Sequence, residues 1–158
     1  PKMTVGGYLI REHRLQALRG TLSNSERQRL SIAIERFQNT MTEWTVRAET
    51  KVYREVDSRL KQWEEVIRDL RRRPKENWTY FSTSVEARVM LNELLEMLAH
   101  PPFNFDETYI ERLDKLDGGF RGMWRHKGDL FIWDEGWQAA YPARTFWYLY
   151  GEPVRRDL

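Results

Sequence analysis

The chain has 158 residues, 32% of them charged and 41% hydrophobic, with a formal net charge of +2 and no cysteine. The missing cysteine excludes disulfides, thiolate metal sites and cysteine nucleophiles, and no stretch approaches the roughly 20 consecutive apolar residues of a membrane span. The length fits one domain of ordinary size, and the high charged fraction implies much surface per volume and so an elongated shape. The opening PKMTVGGYLIREHR lacks the apolar core and small-residue cleavage site of a secretory signal, so a cytoplasmic setting is expected.

Charge is unevenly spread. Residues 1–73 carry 16 basic and 10 acidic side chains, residues 74–117 carry 4 and 9, and residues 118–158 carry 6 and 5. The first two blocks are thus complementary, and the second is expected to pack on the first.

In chain order, Tyr8, Leu15, Leu18 and Leu22 predict a short helix over 8–22, with Gly6-Gly7 at its start. From Gly20 to Pro74 there are 53 residues without Gly or Pro. Within them, Leu30, Ile34, Phe37, Met41, Trp44, Ala48, Val52, Val56, Leu60, Trp63, Ile67 and Leu70 recur at steps of three or four, the seam of one amphipathic helix over about 25–72. Capping boxes at Ser23/Glu26 and Ser25/Gln28 mark its start, and Arg71-Arg72-Arg73 followed by Pro74 marks its end. At 1.5 Å per residue such a helix is about 70 Å long. It must project, bend near the β-branched residues 45–52, or pack on another chain.

Thr83 with Glu86 opens a helix over 84–99 whose apolar residues wrap most of its circumference, which predicts burial on more than one side. A further helix over 107–117 starts at Asp106, with Phe105 and Ile110 as a hydrophobic staple, and stops at Gly118-Gly119. Phe120–Arg125 and Leu130–Trp133 flank the turn His126-Lys127-Gly128-Asp129 and read as a β-hairpin. The resulting architecture is mainly α: an elongated helical hairpin or bundle on the long helix, residues 1–117, with a small aromatic-rich cap containing a β-hairpin, residues 118–158, the two forming one folding unit.

Catalytic signatures are missing: there is no phosphate-binding glycine loop, nucleophile elbow, HExxH or calcium loop. No enzymatic activity and no cofactor are therefore expected. His13 reads as a solvated helix residue and His100 as a cation at a helix C-terminus. His126, Asp129, Asp134 and Glu135 form the one local cluster able to bind a divalent cation, but they read better as a polar turn.

Three groups of residues carry candidate functions. Leu30, Ile34, Phe37, Met41 and Trp44 lie furthest along the chain from the partner helix 84–99, which marks them as an oligomer seam, with a homodimer favoured. Arg68, Arg71, Arg72, Arg73 and Lys75, beside Trp78 and Tyr80, form the purest basic patch and the alternative site, for nucleic acid. Acidic residues interleave the longer basic stripe Arg47, Lys51, Arg54, Lys61, Arg68 and Arg72 as i,i+4 pairs, which favours a solvated face. Trp124, Trp133, Trp137 and Trp147 belong to an aromatic cluster that forms either the core of the cap or a binding patch. The expected function is a non-enzymatic scaffold or adaptor acting through protein contacts and self-association, without a membrane.

Overall fold

The computed structural model describes residues 3–154 and is mainly helical. Among the described residues the elements are α1 (Val5–Ala17), α2 (Asn24–Glu43), α3 (Thr45–Arg72), α4 (Pro74–Ser84), α5 (Glu86–Leu98), α6 (Thr108–Arg121), β1 (Trp124–Phe131) and β2 (Tyr150–Pro153), with 3-10 turns at Arg19–Thr21, Glu135–Ala140 and Trp147–Leu149. The chain forms two compact units, Pro1–Ser58 with Met90–Phe105 and Arg59–Val89 with Asp106–Leu158.

In the first unit Thr4 caps α1 by accepting from the Gly7 amide at 3.1 Å, so the Gly6-Gly7 pair lies inside the helix instead of before it. The Gly6 amide donates to the Glu55 carboxylate at 2.9 Å, and any Cβ at Gly6 would meet that carboxylate and the Met90 side chain. A carboxylate at a helix N-terminus satisfies free amides and the positive end of the dipole. The helix ends at Ala17, short of the expected 22, and a 3-10 turn leads into α2.

The Ser23/Glu26 capping box forms in full: the Glu26 amide donates to Ser23 Oγ at 3.2 Å and the Ser23 amide to Glu26 Oε1 at 3.0 Å. The Ser23 amide, and after it the Ser23 hydroxyl, hold the Glu26 carboxyl below its ordinary pKa. Ser25 lies within α2.

The expected single helix over 25–72 is interrupted at Trp44, whose φ of −109° and ψ of 37° leave the helical range. No Gly or Pro causes this. The hydroxyls of Thr40 and Thr42 donate back to the Arg36 and Gln38 carbonyls at 2.9 Å, and that of Thr45 donates to the Thr42 carbonyl at 2.7 Å and to Met41 at 3.4 Å. Such back-bonding competes with the backbone ladder and bends helices. Beyond the break the seam is as predicted: Ala48, Val52, Val56, Leu60, Trp63, Ile67 and Leu70 are all buried.

Pro74 ends α3 and then occupies the first turn of α4, where its missing amide costs nothing. Thr83 therefore lies inside α4, and α5 follows after the single residue Val85. Burial all round α5 is as expected, with Val89, Leu91, Leu94 and Leu98 fully inaccessible. Asp106 accepts from the Thr108 hydroxyl at 2.7 Å and amide at 3.0 Å, which lowers its carboxyl pKa, but α6 continues through Gly118-Gly119 to Arg121. Ile110, assigned to a staple, is exposed.

In the second unit the two-stranded antiparallel sheet is present, but its strands differ from the local hairpin expected. Trp124, Arg125 and His126 pair with Pro153, Glu152 and Gly151, and Phe131 pairs with Tyr150, so the register shifts across the segment from Lys127 to Leu130 within β1. Gly151 has φ +134°, and a Cβ there would run into the Arg125 carbonyl, so the close strand contact requires glycine. Behind the sheet, Trp63, Phe81, Phe120 and Trp124 interlock with ring centroids 4.9–5.8 Å apart, the aromatic core of this unit.

Candidate functional site

The seam residues begin on α2. Leu30 is buried, Ile34, Phe37 and Met41 are half-buried, and Trp44 is 52% exposed. Part of this surface is covered from within the chain: Tyr8 of α1 stacks on Phe37 at 4.3 Å, and its hydroxyl donates to the Ala33 carbonyl at 3.4 Å. Burial, and then the charge of Glu12, raises the Tyr8 pKa. The seam thus lies furthest along the chain from α5 but is partly covered by α1, which the Arg19–Thr21 turn joins directly to α2. What stays open lies at the break. Val46 is 80% exposed, and the Arg47 guanidinium sits 5.5 Å from the Trp44 ring centroid.

His13 is half-buried, not freely solvated. Its Nδ1 lies 2.9 Å from Glu93 Oε1, and Glu12 beside it has a pKa raised by burial and then by Glu93. His100 Nδ1 lies 2.7 Å from the Glu96 carbonyl, at the end of α5.

The basic patch is exposed but interwoven with other groups. Arg68 lies 3.9 Å from Glu64, Arg73 lies 3.4 Å from Glu76, and Arg71 donates to the Gly119 carbonyl at 3.3 Å. Arg72 and Lys75 are exposed, and Tyr80 is 67% exposed. Trp78, expected as a stacking platform, is half-buried against Phe81 at 5.4 Å and Trp124 at 5.9 Å.

The four tryptophans of the cap take part in packing. Trp124 is buried and donates to the Tyr150 carbonyl at 3.1 Å, while Trp133 donates to the Ser82 carbonyl at 2.6 Å and meets Tyr141 edge-on at 5.0 Å. Trp147 lies between Phe120 at 5.8 Å and the Arg121 guanidinium at 4.3 Å, and Trp137 is half-buried. An open groove of about 440 Å³ separates Trp78, Thr79 and Ser82 from Leu130, Phe131 and Ile132. Asp134 caps a 3-10 turn by accepting from the Gly136 amide at 2.8 Å, and among the described residues no group of three or more His, Asp and Glu is placed to hold a metal.

Sequence reading missed a buried polar cluster. Arg88 grips Asp117 through two parallel bonds, Nε to Oδ1 at 3.0 Å and Nη2 to Oδ2 at 2.9 Å, and Trp63 Nε1 donates to the same Oδ1 at 3.0 Å. The Arg88 guanidinium also covers the Tyr148 ring at 4.4 Å. Burial alone would lower the Arg88 pKa, but Tyr148 and Asp117 outweigh it and push the pKa up, so the cation is retained. The signal was present: Asp117 falls in the stripe Leu113, Asp117, Phe120, and Arg88 lies among the apolar residues of α5.

No protein-family model matches the chain, and neither curated proteins nor solved structures match it. Among the described residues no helix is long and apolar enough to cross a membrane.

Proposed function

We propose that this protein is a non-enzymatic helical scaffold or adaptor that acts through protein contacts, and that two copies join through the surface around Trp44 and Val46. The observation that carries this reading is the exposure of both residues, 52% and 80%, at the helix break and just after it. Exposed apolar area costs roughly 25 cal/mol per Å² in water, and a large ring with a polar rim is the usual anchor of a protein contact. Arg47 over the Trp44 ring supplies part of that rim. A cytoplasmic setting belongs to the same proposal, since a cysteine-free chain suits a reducing compartment.

Light scattering on the native chain and on Trp44→Glu with Val46→Glu tests it. A dimer that becomes a monomer on substitution supports the reading. A native chain strictly monomeric at micromolar concentration overturns it.

The second reading is nucleic-acid binding at the start of α4, favoured by the exposed ring of Tyr80 on the same helix as Lys75 and just beyond Arg72. It ranks lower because Glu64 and Glu76 sit close to two of the patch's arginines.

A further inference from the structure

The seam in the sequence is continuous across a place where the helix is not. Met41, Trp44, Ala48 and Val52 keep steps of three and four, and residues 21–73 contain no Gly or Pro. Yet α2 ends at Glu43 and α3 begins at Thr45.

The break is a real change of direction. Gly6 bonds Glu55 of α3, while Tyr8, two residues on, reaches the Ala33 carbonyl of α2. In an uninterrupted helix, positions 33 and 55 stand about 33 Å apart along the axis. One turn of α1 and two side chains do not span that length, so α2 is folded back.

The forces holding it back are few. Among the described residues, Leu30 is the one buried residue of α2, joined by the Tyr8–Phe37 stack, the Tyr8 hydroxyl bond to the Ala33 carbonyl at 3.4 Å and a bond from Arg19 Nη2 to Ser31 Oγ at 3.2 Å. At the break, the Thr45 hydroxyl occupies the Thr42 carbonyl that a helical amide would otherwise take. Straightening restores backbone bonds at the junction and places Trp44 on the face of Ala48 and Val52. Folding back keeps Leu30 and Phe37 covered.

We infer that the α2–α3 junction is a two-state hinge, in which the bent form seen here exchanges with one continuous helix, and Thr45 sets the balance between them. Trp44, with φ −109° and ψ 37°, is the residue between the two helices whose dihedrals leave the helical range. Elements that switch are drawn from lightly held parts of a structure, and a local side-chain hydrogen bond worth about 1 kcal/mol is enough to shift such an exchange roughly fivefold. The hinge stands apart from the self-association reading, because it is a property of a single chain.

The cysteine-free sequence allows clean paired labelling. Gln28→Cys and Arg54→Cys are both exposed sites, and spin labels there report a distance of about 39 Å when the helix is continuous and a shorter one when it is bent. Double-labelled chain diluted into unlabelled chain keeps the reading intramolecular. Two populations are expected. Thr45→Ala, which removes the competing hydroxyl, should raise the ratio of long to short distances about fivefold. Trp44→Asn, which offers α3 a true N-cap, should lower it. A single short distance in all three proteins, or a ratio that Thr45→Ala leaves unchanged, overturns the hinge. A change in the ratio at a concentration where the chain is monomeric supports it even if no dimer forms.

Discussion

Arg88 and Asp117, 29 positions apart in sequence, are joined by a bidentate pair buried in the second unit, with the carboxylate taking a third bond from Trp63. Removing one partner from such a pair leaves an uncompensated charge in a low-dielectric interior. Asp117→Ala should cost about 3–5 kcal/mol in urea denaturation. The joint change Arg88→Met with Asp117→Leu should cost far less, because no lone charge remains. Equal losses in the single and double variants would show that the pair is not what stabilises this core.

The cap tryptophans should differ in their contribution. Trp124 is 7% exposed, and truncation to Ala should cost about 3–5 kcal/mol. Trp133 and Trp147 are half-exposed, so each should lose less, about 1–3 kcal/mol. Thermal melts of the three variants test the ranking, and unchanged melting in all three would return these rings to the role of an open binding patch.

Glu12 should make the first unit respond to pH. Its carboxyl pKa is raised by burial and then by Glu93. A raised carboxyl pKa contributes stability below the unfolded value and loses it as pH rises through the folded value. Glu12→Gln should therefore raise the melting temperature at pH 7 and have no effect near pH 4, about the ordinary carboxyl pKa. Glu12 is only half-buried, so solvent screening keeps the gain below about 1 kcal/mol. A larger gain at pH 4 than at pH 7 would contradict the sign.

Replacing Arg71, Arg72 and Arg73 with Gln separates the two functional readings. As exposed residues at a helix end they should change stability by less than about 0.5 kcal/mol each. The scaffold reading predicts unaltered assembly and little binding of DNA or RNA near 0.15 M salt. Binding whose log affinity falls with log salt at about 0.7–0.9 per contact, with a slope reduced by about three in the variant, would instead establish the patch as a phosphate site.

The sequence alone determined the features that repeat with the helix period or lie within one turn. The buried line from Ala48 to Leu70, the Ser23/Glu26 box, the stop at Pro74 and the all-round burial of α5 were legible because each depends on residues three or four apart. The candidate surface was half legible. Its residues could be named, but not the cover that Tyr8 gives Phe37. Tertiary structure decided where the long helix breaks, because threonine hydroxyls and backbone amides compete for the same carbonyls on nearly equal terms, and packing on α1 tips the result. It also chose Tyr150–Pro153 as partner for β1 over the adjacent residues, and Arg88 as partner for Asp117. Those choices join groups some 20 to 30 positions apart, where no local periodicity acts and the pairing follows from which surfaces the packed helices bring together.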